Sequence, residues 1–370
     1  MKVLQLGKFY PIRGGVEKVM WDLTRGLSAR GIACDMLCAD FEQEKETKVL
    51  TFNDRGHVIV VPTLRQAAGT MIAPKMVSWL RKHAKEYDLI HVHHPDPMAA
   101  LALWLSGYKG RVILHWHSDI LKHKALLACY APLQSWLIRR AEQIIGTTPV
   151  YVAQSPALQD VQDKTTYVPI GIEPIVYDPA MAEAVRAEYP GKKIVYSLGR
   201  LVPYKGYAYL IDAARYLDDS YQVLIGGTGP LRDSLQQRID AEGLQDKVRL
   251  LGFVPDERHA AMYGAADVFV MSSVMKTEAF GIVQIEAMST GTPVVATKIP
   301  ESGVSWVNED GVSGRNVAPQ NPVELANAID EICKNPEKYR TFADNAKKRF
   351  ERVFRYDNMI EKIVERYEKA

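Results

Sequence analysis

The sequence is poor in the features that mark secreted, membrane-spanning and nucleic-acid-binding proteins. Its 370 residues hold four cysteines, Cys34, Cys38, Cys129 and Cys333. Only the first two are close together and no second pair follows at zinc spacing, so neither a disulfide framework nor a zinc site is indicated. They read as reduced, mostly buried thiols of a cytoplasmic protein. No run approaches the roughly 20 apolar residues that span a bilayer, and the start, MKVLQLGKFYP, is too short in apolar residues for a signal peptide. At most, the chain is expected to sit peripherally on the inner face of the cytoplasmic membrane. A net charge of +2 gives no reason to expect a nucleic-acid partner. The G-x-G-x-x-G dinucleotide fingerprint is missing, and no D-x-D stands at a strand end to hold a metal on a diphosphate.

What is present is ordinary globular bulk, with 47% hydrophobic and 24% charged residues, enough for two large cores. The near-neutral total hides a gradient. Residues 1–175 carry 21 basic against 16 acidic side chains, and within 65–140 the count is 11 against 4. Eight of the nine histidines also fall in the first half. Such a half suits an anionic ligand or surface, or is a solvated basic face.

Short apolar runs alternate with helix-period segments along the chain. VLQL (3–6), IACDMLC (32–38), HVIVV (57–61), LIHVHH (89–94), VILHWH (112–117) and QIIGTT (143–148) form one series. KIVYSLG (193–199), YQVLIGG (221–227), KVRLLGF (247–253), ADVFVMSS (266–273) and TPVVAT (292–297) form a second. Strands this apolar, set between helices, predict parallel sheets covered on both faces. Two series predict an α/β protein of two Rossmann-like, doubly wound domains, 1–172 and 173–354, joined by KTTYVPIGIEP (164–174), with a ligand crevice between them.

Gly14 and Gly15 stand immediately before a helix, where bare N–H groups and the positive helix end can approach an anion. Turn glycines would explain the pair equally well, and Glu17 suits a helix cap as well as a ligand contact. In SLGRLVPYKGYAYL, Arg200 and Lys205 lie five apart on a strand-to-helix loop. That pair suits a diphosphate, with a fork for paired oxygens and a point charge, although two solvated basic residues would look the same. LIGGTGPLRDSL repeats the architecture with Gly226, Gly227 and Gly229, as tight βα turns often do.

The sharpest segment is SSVMKTEAFGIVQIEAMSTGTPVVAT. With a helix starting near Phe280, Glu278 lies in the preceding loop and Glu286 roughly two turns in. The N–H groups of Phe280, Gly281, Ile282 and Val283 then open at the helix start. Carboxylates accept hydrogen bonds from sugar or ribose hydroxyls, and a helix N-terminus binds phosphate. Glu278 as a cap and Glu286 as a surface residue is the plain alternative. The apolar neighbours AFGIVQI and AMSTG weigh against it, because they bury Glu286 and so demand a ligand or backbone donor.

Taken in order, GGVE (14–17), GRLVPYKG (199–206), GGTGPL (226–231), GFVP (252–255) and the E-x7-E of EAFGIVQIEAMSTGTPVV (278–295) resemble the motifs of the retaining, nucleotide-sugar-dependent glycosyltransferases of family 4. The resemblance covers nearly the whole chain. HWHSD at 115–119 resembles the HSD segment of bacterial O-antigen and exopolysaccharide transferases, many of them mannosyltransferases. The resemblance implies a GT-B fold, two Rossmann-like domains facing across a cleft, with a final helix (355–370) crossing back to the first. It also implies roles. Glu286 binds the donor ribose, Glu278 the donor-sugar hydroxyls, His117 the sugar from the opposite wall, and Phe253–Val254 the base. Arg200, Lys205 and the N–H groups after Glu278 stabilise the leaving diphosphate, with Gly14 and Gly15 completing the cradle. Glu278, His117, Arg200 and Lys205 are the catalytic candidates. The expected donor is a nucleotide diphosphate sugar, GDP-mannose ahead of a UDP-hexose. The expected acceptor is a glycan or lipid-diphosphate-linked hydroxyl in surface-polysaccharide synthesis, and no metal or other cofactor is expected.

His91, His93 and His94 invite a zinc reading, but strand alternation sets the first two on one face and the third on the other. Apart from the resemblance, His115 and His117 read as packing histidines. Asp119 is the nearest candidate for a nucleophilic carboxylate in the first domain. WLRKHAK (79–85) and LKHKALLACYAPLQSWLIRR (121–140) read as amphipathic stretches that dock on an anionic leaflet, grip the phosphates of a lipid-linked acceptor, or pack on the first sheet. Other uses of the two-domain plan are a nucleotide-sugar 2-epimerase, a sugar phosphorylase and a catalytically silent binding subunit. The ordered GGVE…E-x7-E set argues against the first, and no lysine context for pyridoxal phosphate supports the second. Intact Arg200, Lys205, Glu278 and Glu286 argue against the third.

Overall fold

The computed structural model describes residues 1–42, 44–67, 69–121 and 124–369; Lys122 and His123 of the basic stretch lie outside the described residues. The chain divides into two compact units, Met1–Ile170 with Met359–Ala370, and Gly171–Asn358. These crossings differ by a few residues from the expected 172 and 355. The reason is local: Ile172 N–H donates to Phe354 O and Tyr356 N–H donates to Ile172 O, both at 2.9 Å, so both flanks are stitched together inside the second unit.

The first unit is built on an eight-stranded sheet. Its spatial order is Thr165–Tyr167, Gln143–Gly146, Arg111–Trp116, Leu89–His94, Lys2–Tyr10, Ala33–Asp40, Gly56–Val61 and Lys48–Asn53. Every pairing is parallel except the last, where the edge strand Lys48–Asn53 runs antiparallel to Gly56–Val61. Val3, Leu4, Leu6, Ile90, Val112 and Leu114 are fully buried, as strands covered on both faces must be. The helix Pro97–Ser106 shows the local logic of the coverings. The Asp96 carboxylate caps it by accepting from the Met98 and Ala99 N–H groups, Pro97 opens it, and left-handed Gly107 ends it. The closing helix Tyr356–Lys369 buries Met359, Ile363 and Tyr367, one face at i, i+4, i+8.

The second unit carries six strands, all parallel, in the order Val248–Gly252, Tyr221–Gly226, Lys193–Leu198, Val268–Met271, Val294–Thr297 and Gly314–Val317. Val195, Leu210, Ile211, Val223, Ile225, Val268 and Ile329 form its core. In both sheets the chain winds outward one way and then the other. The reversal lies between Lys2–Tyr10 and Leu89–His94 in the first sheet, and between Lys193–Leu198 and Val268–Met271 in the second. Such switch points, at the carboxyl ends of the strands, are where open α/β sheets bind ligands. Among the described residues no helix is long and apolar enough to cross a membrane.

Candidate active site

At the switch point of the second unit two loops are laced together. Ser272 Oγ donates to Lys205 O at 3.0 Å, and Val274 N–H donates to Tyr204 O at 2.8 Å. Gly206 makes this contact possible. It sits at φ +67°, and a Cβ there would lie 2.1 Å from Ser272 O. The lacing brings Lys205 to Glu278, with Nζ 2.5 Å from Oε2. Ser273 Oγ donates to the same carboxylate oxygen at 3.1 Å. Burial by itself would lower the Lys205 pKa, but the Glu278 charge, with Tyr207 and Tyr204, outweighs it and holds the ammonium above its ordinary value. Arg200, on the same loop, has an exposed side chain.

The glycines of LIGGTGPL have a structural role that the sequence left open. A Cβ at Gly227 would lie 1.9 Å from Gly199 O, and one at Gly229 would lie 2.5 Å from Leu201 O. Leu201 N–H donates to Thr228 O and Leu231 N–H to Leu201 O. The glycine turn therefore forms the bed on which the Arg200 loop rests.

After Glu278, Phe280 is buried edge-on to Phe354, so its backbone rather than its ring is offered. The helix spans Ile282–Ser289 with left-handed Gly281 as its N-cap. It therefore starts two residues later than expected and sets Glu286 just over one turn in, not two. The first N–H to find a local acceptor is that of Gln284, on Gly281 O at 2.9 Å. The N–H groups of Phe280, Gly281, Ile282 and Val283 fall at the end where helix geometry supplies no partner.

Glu286 is half-buried, as its neighbours implied, and it has a side-chain partner that the sequence did not announce. Tyr263 Oη donates to Oε2 at 2.7 Å, and His259 Nε2 lies 3.5 Å from the same oxygen. Burial and then the Glu286 charge push the Tyr263 pKa well up, so the phenol stays protonated and remains a donor. Phe253 follows Gly252 at the end of its strand and is 76% exposed. Val254 packs against Gly226, where a Cβ would lie 2.9 Å from its Cγ2.

The first unit gathers a second set of groups at its own switch point. Gly14 caps the helix Gly15–Ala29 and both glycines are exposed. Glu17 in the first turn is buried, and burial, opposed by the Lys8 charge, raises its pKa. Sequence reasoning missed Lys8. It follows Gly7 in a left-handed conformation (φ +58°), its N–H donates to the Asp96 carboxylate, and its ammonium donates to Pro95 O at 2.5 Å. The adjacent Gly7 was the only signal.

His117 N–H donates to His94 O at 3.1 Å, and its Nε2 meets His93 Nδ1 at 2.9 Å. Burial first, and then the charges that His115 and Lys8 would present, hold His117 well below the ordinary histidine value, so it is neutral. Asp119 Oδ1 accepts from Trp116 Nε1 at 3.0 Å and from Ser155 Oγ at 2.6 Å. These bonds make Asp119 an anchor of its loop.

Among the described residues, His91, His93 and His115 form a group whose ligand nitrogens lie within 4.8 Å of one another. Their rings are within 25° of parallel, so their in-plane lone pairs run side by side, and both His93 nitrogens are already engaged. A metal ion would have to break that network to gather them. His94 lies apart, its ring stacked on Trp116.

Comparison with known proteins gives the arrangement its family. The model of "Glycosyltransferase Family 4" matches residues 13–175, and that of "Glycosyl transferases group 1" matches residues 182–349. The O-antigen chain mannosyltransferase C of Escherichia coli is 32% identical, covering 99% of this chain and 98% of its own. The D-rhamnosyltransferase WbpZ of Pseudomonas aeruginosa is 29% identical over 96% and 92%. Among solved structures, a sucrose-phosphate synthase from Thermosynechococcus elongatus superposes with a TM-score of 0.82 at 23% identity, covering 100% and 99%. HepE of Anabaena, solved in complex with UDP-glucose, superposes with a TM-score of 0.79 at 25% identity over all of both chains. Matched in both halves and along its whole length, the chain belongs to the group 1/family 4 glycosyltransferases and is a glycosyltransferase of the GT-B fold.

Proposed function

We propose that the enzyme transfers a hexose from a nucleotide diphosphate sugar to a hydroxyl of a glycan or lipid-diphosphate-linked acceptor in surface-polysaccharide synthesis, with retention at the anomeric carbon. The observation that carries this reading is the Lys205–Glu278 pair, 2.5 Å apart at a switch point, directly before a helix start. Departure of the diphosphate from an oxocarbenium-like sugar is the hard step. Lys205 and the N–H groups of Phe280 to Val283 offer positive charge and donors for the leaving oxygens from positions set by the fold, and the exposed Arg200 adds its guanidinium. Glu278 takes the donor-sugar hydroxyls and Glu286 the ribose, with Phe253 and Val254 at the base. His117 is assigned to the sugar, and Gly14 and Gly15 to the diphosphate.

With these cations in place of a divalent ion, turnover is expected to need no metal. The name of the Escherichia coli relative favours mannose, for which GDP-mannose is the donor we put first, and the UDP-glucose complex of HepE keeps UDP-hexoses next in line. The basic stretch 65–140 is the part proposed to meet an anionic leaflet or the phosphates of a lipid-linked acceptor.

The test is nucleotide release from a panel of guanosine, uridine, adenosine and deoxythymidine diphosphate sugars with EDTA present. Turnover of one donor, lost in Glu278→Ala and cut at least 100-fold in the Arg200→Ala/Lys205→Ala pair, is the expected result. Unchanged turnover in the double variant, or dependence on added metal, would sink the assignment.

A further inference from the structure

Four histidines line one buried face of the strands Leu89–His94 and Arg111–Trp116 and the residue that follows them. His91 and His93 are 0% exposed, His115 2% and His117 5%, so the row comes nearest to solvent at His117. His93 pairs directly with His115 across the strands, and the ring centroids of neighbours stand 4.1 to 5.2 Å apart. One polar side chain from each of two other elements enters this face, Gln5 of the central strand and Tyr367 of the closing helix, both buried.

The hydrogen bonds here form a chain with a direction. Gln5 Nε2 donates to Tyr367 Oη at 3.0 Å and faces Cys34 Sγ at 3.7 Å, which leaves Gln5 Oε1 toward His93 Nε2 at 2.8 Å. A carbonyl oxygen only accepts, so His93 carries its hydrogen on Nε2. A neutral imidazole has one hydrogen, and burial keeps this one neutral. His93 Nδ1 is therefore a lone pair, and its 2.9 Å contact with His117 Nε2 requires His117 to be the donor. His117, neutral as well, is then left with a bare Nδ1. At the far end Tyr367 Oη directs its own hydrogen to His91 Nδ1, 2.6 Å away.

We propose that Gln5, His93 and Tyr367 are positioning residues that hold His117 as its Nε2–H tautomer, so that His117 offers Nδ1 as a hydrogen-bond acceptor to a carbohydrate hydroxyl. The acceptor role rests on the assignment of His117 to the sugar; the tautomer does not. In this arrangement the closing helix reaches the site through two hydrogen-bonded side chains. A glutamine amide turned the other way round would reverse every donor in the chain and hand a hydrogen to His117 Nδ1, which is the opposite, measurable state.

The test uses the full chain labelled with 15N-histidine. Two-bond proton–nitrogen correlation spectra report which ring nitrogen of each histidine is protonated, and His117 is identified by the signals missing in His117→Gln. Wild type is expected to show His117 protonated on Nε2. Gln5→Met, which keeps the volume and removes the acceptor, and His93→Leu are expected to bring it to a mixture. His93→Asn, whose carbonyl can stand where Nδ1 stood, is expected to restore it. Donor turnover, measured well below the melting temperature of each variant, should follow in the same order, with kcat/KM down about tenfold in Gln5→Met and recovered in His93→Asn relative to His93→Leu. His117 protonated on Nδ1 in wild type, or a Gln5→Met spectrum like that of wild type, overturns the proposal. Because the spectra need no substrate, a protein with the expected tautomer but no transfer from any nucleotide sugar would sink the site assignment and leave the positioning chain standing.

Discussion

Glu286 shows how much one side chain depends on another that its own sequence neighbourhood does not announce. Oε2 is held by Tyr263 at 2.7 Å with His259 nearby, which fixes the carboxylate and leaves Oε1 for a ligand. Tyr263→Phe keeps the ring and removes the donor, a loss of about 1 kcal/mol. If Glu286 binds the ribose, far from the bond that breaks, the donor KM should rise about fivefold with kcat nearly unchanged. Donor saturation curves check this, and an equal fall in kcat would place Glu286 nearer the chemistry. Glu278 with Glu286, and Arg200 with Lys205, stood out as candidates in the sequence because each pair is closely spaced around its own strand-to-helix loop. Tyr263 and Lys8 were not, because their partners lie 23 and 88 residues away and no periodicity links them.

The basic helices are the elements whose use the sequence left open between a membrane, a phosphate and the protein's own core. Lys75–His83 buries Met76 and Leu80, and Lys124–Arg140 buries Tyr130, Leu137 and Ile138, so these apolar side chains are taken by packing. Lys75, Arg81, Lys82 and Lys85 are exposed along the first of these stretches; Arg81 Nε donates to Leu105 O at 3.0 Å at the end of Pro97–Ser106, whose Trp104 is 52% exposed. A basic and aromatic patch of this kind suits an anionic surface at about 1 kcal/mol per basic side chain. The full chain is expected to float with vesicles containing anionic lipid at moderate salt and not with zwitterionic ones. Lys82→Glu/Lys85→Glu should weaken that at least tenfold, and failure of the wild type to float would remove the membrane from the proposal. At the same scale, the sequence found the apolar strands but not Lys48–Asn53, Gly314–Val317 or the hairpin of Arg65–Ala67 with Thr70–Ile72. These are edge or surface strands, whose alternation is too short or too polar to stand out.

For the molecule as a whole, the four histidines of the row and His94 behind them make stability depend on pH. Burial lowers the pKa of His94 and His115 to about 3, and holds those of His91, His93 and His117 well below the ordinary histidine value. A histidine whose folded pKa lies below its unfolded value of about 6.5 binds its proton in the unfolded chain first. Stability is then complete above that value and is lost as pH falls below it. Each contributes about 1.4 kcal/mol per pH unit there, so five together lose on the order of 7 kcal/mol between pH 7.5 and 5.5. Glu17 and Asp96, whose pKa values burial raises, act in the opposite sense and offset part of this. Urea unfolding at the two pH values measures the difference. A first unit equally stable at both would mean that the row is protonated, or paired, in the native state.

The fold class, the two-domain division and the two separate strand-to-helix loops that carry Lys205 and Glu278 were determined by the sequence alone; the meeting of the two side chains was not. Apolar runs of strand length and glycines at turns act over a few residues, and the physics that reads them is equally local. The tertiary structure alone decided that the glycine turn at 226–229 is a bed for the Arg200 loop, that Glu286 is held by a tyrosine, and that Asp119 is an anchor. It also made His93 and His117 two ends of one hydrogen bond reaching, through Gln5, to the last turn of the chain. Such statements concern donors and acceptors paired across dozens to hundreds of residues. A buried polar group must find a partner, but the sequence does not say which one, because that choice is made by the register of the strands and the packing of the helices over them.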